Sequence, residues 1–228
     1  MLRRDYVLRM IEEFVRALAK ITSQKEQRLW NDAELSLEEE SKRLTGCDLK
    51  TLSTLSDTEL LAHLLQTGDF LPQSEKTFML SRVLMESAEI AESKAGPDEN
   101  GTIRALRLQA LHLLLPLILR TNPSDWPEFV PSIDLLLTRL ADAPLPLQTN
   151  ALLMQHFERS GQFAKAEDAL FSMFEISPDN PALLQMGISF YHRLLEQTDT
   201  ALDTGNLPRV EAQSGLNQLQ NKPNEKSS

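Results

Sequence analysis

Four histidines, one cysteine and eight glycines are the material from which this 228-residue chain would have to assemble a metal site, a nucleophilic centre or a phosphate cradle. A helical zinc site of the hydrolase kind presents histidines at i and i+4 with a glutamate between, so that both imidazoles reach one ion. His63, His112, His156 and His192 are solitary and match no such spacing. A phosphate cradle needs glycines close together so that backbone amides converge on the anion. Here they are scattered singly, with neither a GxxxxGK(S/T) nor a GxGxxG pattern. Cys47 has no CxxC or Cys/His neighbourhood, cannot form an internal disulfide, and has no base that the sequence identifies. No GxSxG elbow occurs, and paired carboxylates fall in strings such as Glu38-Glu39-Glu40 that suit a solvated helix face. The expectation is a non-enzyme: no catalytic residues, no metal and no cofactor.

Composition narrows the partners. A balance of 23 basic against 33 acidic residues gives a net charge of −10, which disfavours phosphate backbones and hence nucleic acid. Hydrophobic residues at 41% allow a chain of this length to bury about 70% of its unfolded surface without metal or disulfide. The opening MLRRDYVLRMIEEF breaks its apolar residues at Glu12 and Glu13, before a signal-peptide core forms. The longest apolar run, Leu113 to Leu119, contains Pro116 and is far too short to span a bilayer. A cytoplasmic location is expected.

Helical periodicity dominates, and no stretch alternates like a half-buried strand, so the fold class is all-α. The first helix should run from about Arg4 to Leu29, with Val7, Ile11, Phe14, Leu18 and Ile21 forming a narrow apolar seam that is expected to pack on the chain's own next helices. Asp32 to Leu44 reads as an acidic helix with Ser36 and Glu39 resembling a capping box and Gly46 closing it. Ser56 with Glu59 is a cleaner box opening Asp57 to Gln66, which should bury Leu60, Leu61, Leu64 and Leu65 and end at Gly68. Ser74 to Ala95 follows, then a loop marked by Gly96-Pro97 and Asn100-Gly101. Thr102 to Arg120 is apolar almost all round and should be the central helix. Beyond a boundary at Asn122-Pro123-Ser124, a helix can begin near Pro127 and run to Leu140, followed by a stiff connector from Asp142 to Pro146.

The last third carries the sharpest pattern. Asn150 to Arg159 and Ala164 to Ile176 read as two short helices folded back on each other at Gly161. Leu153, Phe157, Gly161, Phe163, Ala166, Leu170 and Pro178 fall where the tetratricopeptide repeat places its leucine, aromatic, glycine, alanine and closing proline positions, so this stretch resembles that family. Met154 and Met173 depart from the small residues usual there. Advancing by the family's 34-residue period puts Tyr191 where Phe157 stood, in a helix from about Asn180 to Leu202. Gly205-Asn206-Leu207 echoes Gly161-Gln162-Phe163 at a spacing of 44, and Pro208 to Gln220 suits a terminal cap in which Gly215 is a weak point. Ser74 to Ala95 with Thr102 to Arg120 is an earlier, irregular pair. Through RRDYVLRMIEEF and APLPLQTNALLMQHFERSGQFAKAEDALF the whole chain also resembles a group of uncharacterised bacterial proteins of similar length.

The resemblance implies a right-handed α-α superhelix over residues 71–220, an N-terminal helical extension over 1–70 packing on it, and a disordered tail over 221–228. It also implies a function: a protein-protein interaction scaffold or adapter that holds another protein or peptide segment in a concave groove. Carrying the repeat phase across places Gln155, Glu158 and Arg159 on one groove helix and Gln185, Ser189, His192 and Arg193 on the next. Arg159 and Arg193, 34 residues apart, would present two planar forks of donors to a carboxylate, unless nearby glutamates pair with them. The terminal-carboxylate clamp of some relatives is unsupported, because Ala151 stands at one of its positions. Two alternatives remain open: a homodimer through Val7, Ile11, Phe14, Leu18 and Ile21, and peripheral membrane attachment through Arg3, Arg4, Arg9, Arg16 and Lys20. The second is disfavoured by the acidity of the rest of the chain.

Overall fold

A computed structural model describes residues 2–66, 71–95, 101–122 and 125–221. Among the described residues there are twelve α-helices and no strand. The chain divides into two compact units, Met1–Ala143 and Pro144–Ser228. The expected boundary between residues 70 and 71 falls inside the first of these. The helix end expected at Gly68, the loop residues Gly96, Pro97 and Asn100, the breaks at Pro123 and Ser124, and the tail from Lys222 lie outside the described residues, as does the Leu65 side chain.

The first unit begins with α1 (Leu2–Glu26) and α2 (Trp30–Thr45). α1 stops three residues before the expected end, because Arg28 takes a left-handed φ of 58° and the Leu29 amide reaches back to the Gln24 carbonyl. Gly46 closes α2 in the left-handed region, as its lack of a Cβ allows. The capping box expected at Ser36 and Glu39 is absent: α2 starts earlier, at Trp30, and Ser36 is a buried residue in its interior. α3 (Leu49–Thr54) was not legible in the hydrophobic pattern and is opened by the Asp48 carboxylate, which accepts from the Thr51 amide at 2.7 Å. The Ser56–Glu59 box is present at the start of α4 (Asp57–Gln66), the Ser56 amide donating to Glu59 Oε2 at 2.8 Å. α5 (Gln73–Ala95) packs along α6 (Thr102–Ile118), the central helix, whose Leu106, Ala110, Leu111 and Leu114 are buried. The helix expected from Pro127 shortens to α7 (Ile133–Arg139), capped by Ser132. Pro131 explains this, since the residue before a proline is pushed out of helical geometry.

The seam on α1 has its partner inside the chain. Phe14 and Ile21 are fully buried and Leu18 nearly so, in a core shared with Leu37 of α2 and Met79, Val83 and Ile90 of α5, with Val7 and Ile11 packed at its edge. A homodimer through these five residues would have to open that core. Below the seam, Lys25 Nζ lies 2.5 Å from carboxylate oxygens of both Glu86 and Glu89 of α5, and Arg82 also pairs with Glu86. Glu86 is 1% exposed, so these cations are what make its burial tolerable.

The second unit opens with α8 (Leu147–Arg159) and α9 (Phe163–Ile176), which pack along each other about Gly161, at φ 73°. Leu153, Phe157, Phe163, Ala166 and Leu170 are all buried, so the residues that carried the resemblance form this hairpin's core. The single long helix expected from Asn180 divides into α10 (Pro181–Leu195) and α11 (Asp199–Thr204), because Thr198 accepts from the Ala201 amide and starts a new helix. α12 (Arg209–Gln220) then packs on α10. Gly187 of α10 faces Leu219, and Tyr191 of α10 faces Gly215, so the two helices run antiparallel.

The echo between the two glycine turns is real but shifted by one residue. The Gln162 amide bonds the Phe157 carbonyl and the Leu207 amide bonds the Leu202 carbonyl, both five residues back, and the left-handed positions are Gly161 and Asn206. The structural spacing is therefore 45, from 206 minus 161, with asparagine substituting for glycine as it can in that region. The two turns also touch: the Ala164 amide donates to the Gly205 carbonyl at 3.0 Å.

Candidate functional site

The residues expected to line a groove lie on the polar faces of α8 and α10. Gln155, Arg159, Gln185, His192 and Arg193 are exposed, and Glu158 and Ser189 are half-buried. One contact joins the two helices directly. Arg193 donates from Nε to Glu158 Oε1 at 2.6 Å and from Nη2 to Glu158 Oε2 at 2.8 Å, a fork-to-fork pair across 35 residues of sequence. These hydrogen bonds to Glu158 hold the Arg193 guanidinium above its already high range, against the opposing effect of burial. Two donors of the Arg193 fork are thus engaged by Glu158, so the arrangement is a zwitterionic strip rather than a pair of open cations.

Beneath this strip lies a second polar contact. The Tyr191 hydroxyl donates to Glu167 Oε1 of α9 at 2.6 Å. Burial raises the Glu167 carboxyl, more than the Tyr191 hydrogen bond lowers it, and burial followed by the Glu167 hydrogen bond raises the tyrosine hydroxyl strongly. Tyr191 is fully buried, so this contact ties α10 to α9 from within.

The chain belongs to the DUF6483 family, a family of unknown function. The family's profile matches residues 1–224, nearly the full sequence. No curated protein and no solved structure matches the chain. Family membership accordingly brings no site residues.

The four histidines lie on four different helices, His63 on α4, His112 on α6, His156 on α8 and His192 on α10. His156 tilts against Phe157 at 5.2 Å between centroids, and His192 is exposed on α10. Among the described residues, no group of three or more histidine, cysteine, aspartate or glutamate side chains is placed to hold a metal ion. Among those same residues, no helix is long and apolar enough to cross a membrane.

One pair escaped the sequence entirely. Cys47 follows the Gly46 turn and is held by its neighbours: its amide donates to Thr45 Oγ1 at 3.1 Å and its carbonyl accepts from Ser41 Oγ at 2.8 Å. This delivers its sulfur to His63 on α4, with Sγ 3.4 Å from Nδ1 and 4.0 Å from Nε2. Sixteen residues and one short helix separate the two, so no spacing rule flags them; only the packing of α2 on α4 brings them together.

Proposed function

We propose that this DUF6483 chain is a non-enzymatic scaffold whose α8 and α10 polar strip holds a segment of another protein. The hairpins α8–α9 and α10–α12 act in this reading as tetratricopeptide-like units, the second lengthened by α11. The observation that carries it is the Glu158–Arg193 pair, which links α8, the helix of Gln155 and Arg159, to α10, the helix of Gln185, Ser189 and His192. Exposed amide, imidazole and guanidinium groups at helical spacing supply the hydrogen-bond donors and acceptors that a peptide backbone and its polar side chains need. An arginine already oriented by a glutamate offers a preorganised polar surface, which lowers the ordering cost of binding. Capture of partners from a cell lysate by the immobilised full chain tests this, using the variant Gln155→Ala, Gln185→Ala, His192→Ala beside the wild type. A partner lost with the triple variant supports the assignment, and an unchanged set of captured proteins removes it.

A further inference from the structure

The contact between Cys47 and His63 pairs a nucleophile with a base, and the groove reading makes no use of it. A thiol reacts as its thiolate, and an imidazole within hydrogen-bond reach supplies a place for the proton at neutral pH. Cys47 as a residue is half-buried rather than sealed in the core. Its backbone is held at the amide by Thr45 and at the carbonyl by Ser41, which fixes the Cα from which the side chain projects. His63 is placed by the first turn of α4, where Ser56 and Glu59 close a reciprocal cap. Glu59 lies one turn before His63, and the imidazole adds to the Ser56 hydrogen bonds that hold its carboxyl low. Next in sequence to Cys47, the Asp48 carboxyl is held low by its Thr51 hydrogen bonds and, to a lesser degree, by the charges of Lys42 and Lys50. A buried cysteine filling space would need no imidazole beside its sulfur.

We propose that Cys47 is a modification site for low-molecular-weight disulfides, with His63 as the base that activates it. The Cys47 S–H proton passes to the His63 ring, and the thiolate attacks one sulfur of R–S–S–R. The S–S bond of the reagent breaks, a Cys47–S–S–R bond forms, and the departing RS⁻ takes the proton back from the imidazolium. Cys47 is oxidised, half of the reagent is reduced to RSH, and no further oxidant enters. With one cysteine in the sequence there is no second thiol in the chain to resolve the product, so the mixed disulfide lasts until an external thiol removes it.

The test is the rate at which the full chain reacts with 4,4′-dithiodipyridine and with glutathione disulfide between pH 5.5 and pH 9.5, followed by absorbance and by intact mass. The wild type is expected to hold a plateau of reactivity below pH 8, to react at least tenfold faster at pH 6.5 than His63→Ala or His63→Gln, and to converge with both variants near pH 9.5. Cys47→Ser should show no adduct. Equal rates for wild type and variants, or faster reaction on removal of His63, would overturn the proposal. The wild-type profile decides the matter even where a variant fails to fold: a rate falling tenfold with each pH unit below pH 8, as for an unassisted thiol, contradicts it.

Discussion

Gly215 on α12 is the seat of the Tyr191 ring on α10: a Cβ added at Gly215 would meet the Cζ, Oη and Cε1 atoms of that ring, the last at 2.6 Å. The glycine that reads as a weak point in its helix is therefore what lets the helices approach, and the approach in turn carries the tyrosine hydroxyl to Glu167.

Replacing Gly215 by alanine sets two effects against each other. Alanine gains about 1 kcal/mol of helix propensity, but the ring it strikes is fully buried and tied at its hydroxyl, and overpacking costs about 1–3 kcal/mol. Gly215→Ala should lower stability in urea unfolding. Gly187→Ala should be better tolerated, because its nearest neighbour is the flexible end of Leu219.

Tyr191→Phe removes the hydroxyl that lowers the Glu167 carboxyl and leaves the burial that raises it. The Glu167 titration, followed by NMR, should move further up. A carboxyl raised on folding stabilises below the unfolded range and loses that contribution as pH rises through its folded value. The variant's penalty should accordingly be larger at pH 7, about 1–2 kcal/mol, than near pH 4.

Lys25→Ala should cost about 3 kcal/mol, since Glu86 would then keep only Arg82. Burial works to lower the Lys25 ammonium, and the hydrogen bonds and charges of Glu86 and Glu89 outweigh it and raise it. A lysine raised on folding contributes fully below its unfolded value, about 10.4, and loses the contribution as pH rises through the folded value. The gap between wild type and variant should be constant from pH 7 to pH 9 and shrink above that, as chemical unfolding at each pH would show.

Thr198→Ala removes the side-chain cap that starts α11. Loss of about 1 kcal/mol is expected, with faster amide exchange at Ala201 and Leu202 and little change in α8 or α9.

What was legible in the sequence was local. The Gly161 turn, the Ser56–Glu59 box and the all-round apolar character of α6 each rest on residues within a few positions of one another, and each is present. Helix ends set by side-chain caps in polar stretches, at Asp48 and Thr198, were missed because short helices leave no periodic apolar trace. The α1 seam was visible, as was its packing on the chain's own helices, but the covering residues of α2 and α5 were not, since they join Phe14 in one core only through tertiary packing. For the same reason the sequence allowed nearby glutamates to pair with Arg159 and Arg193 but did not single out Glu158 as the partner of Arg193. Their union required α8 and α10 to be neighbours, and the contact between Cys47 and His63 required the same of α2 and α4.

Site-directed photo-crosslinking tests the central claim most directly. A benzophenone amino acid placed at Gln185, on the strip, and in a second protein at Gln213, an exposed position on α12, would be irradiated in lysate with the intact chain. The account predicts a discrete protein adduct from position 185 and none from position 213. An adduct of equal yield at both positions, or at 213 alone, would contradict it.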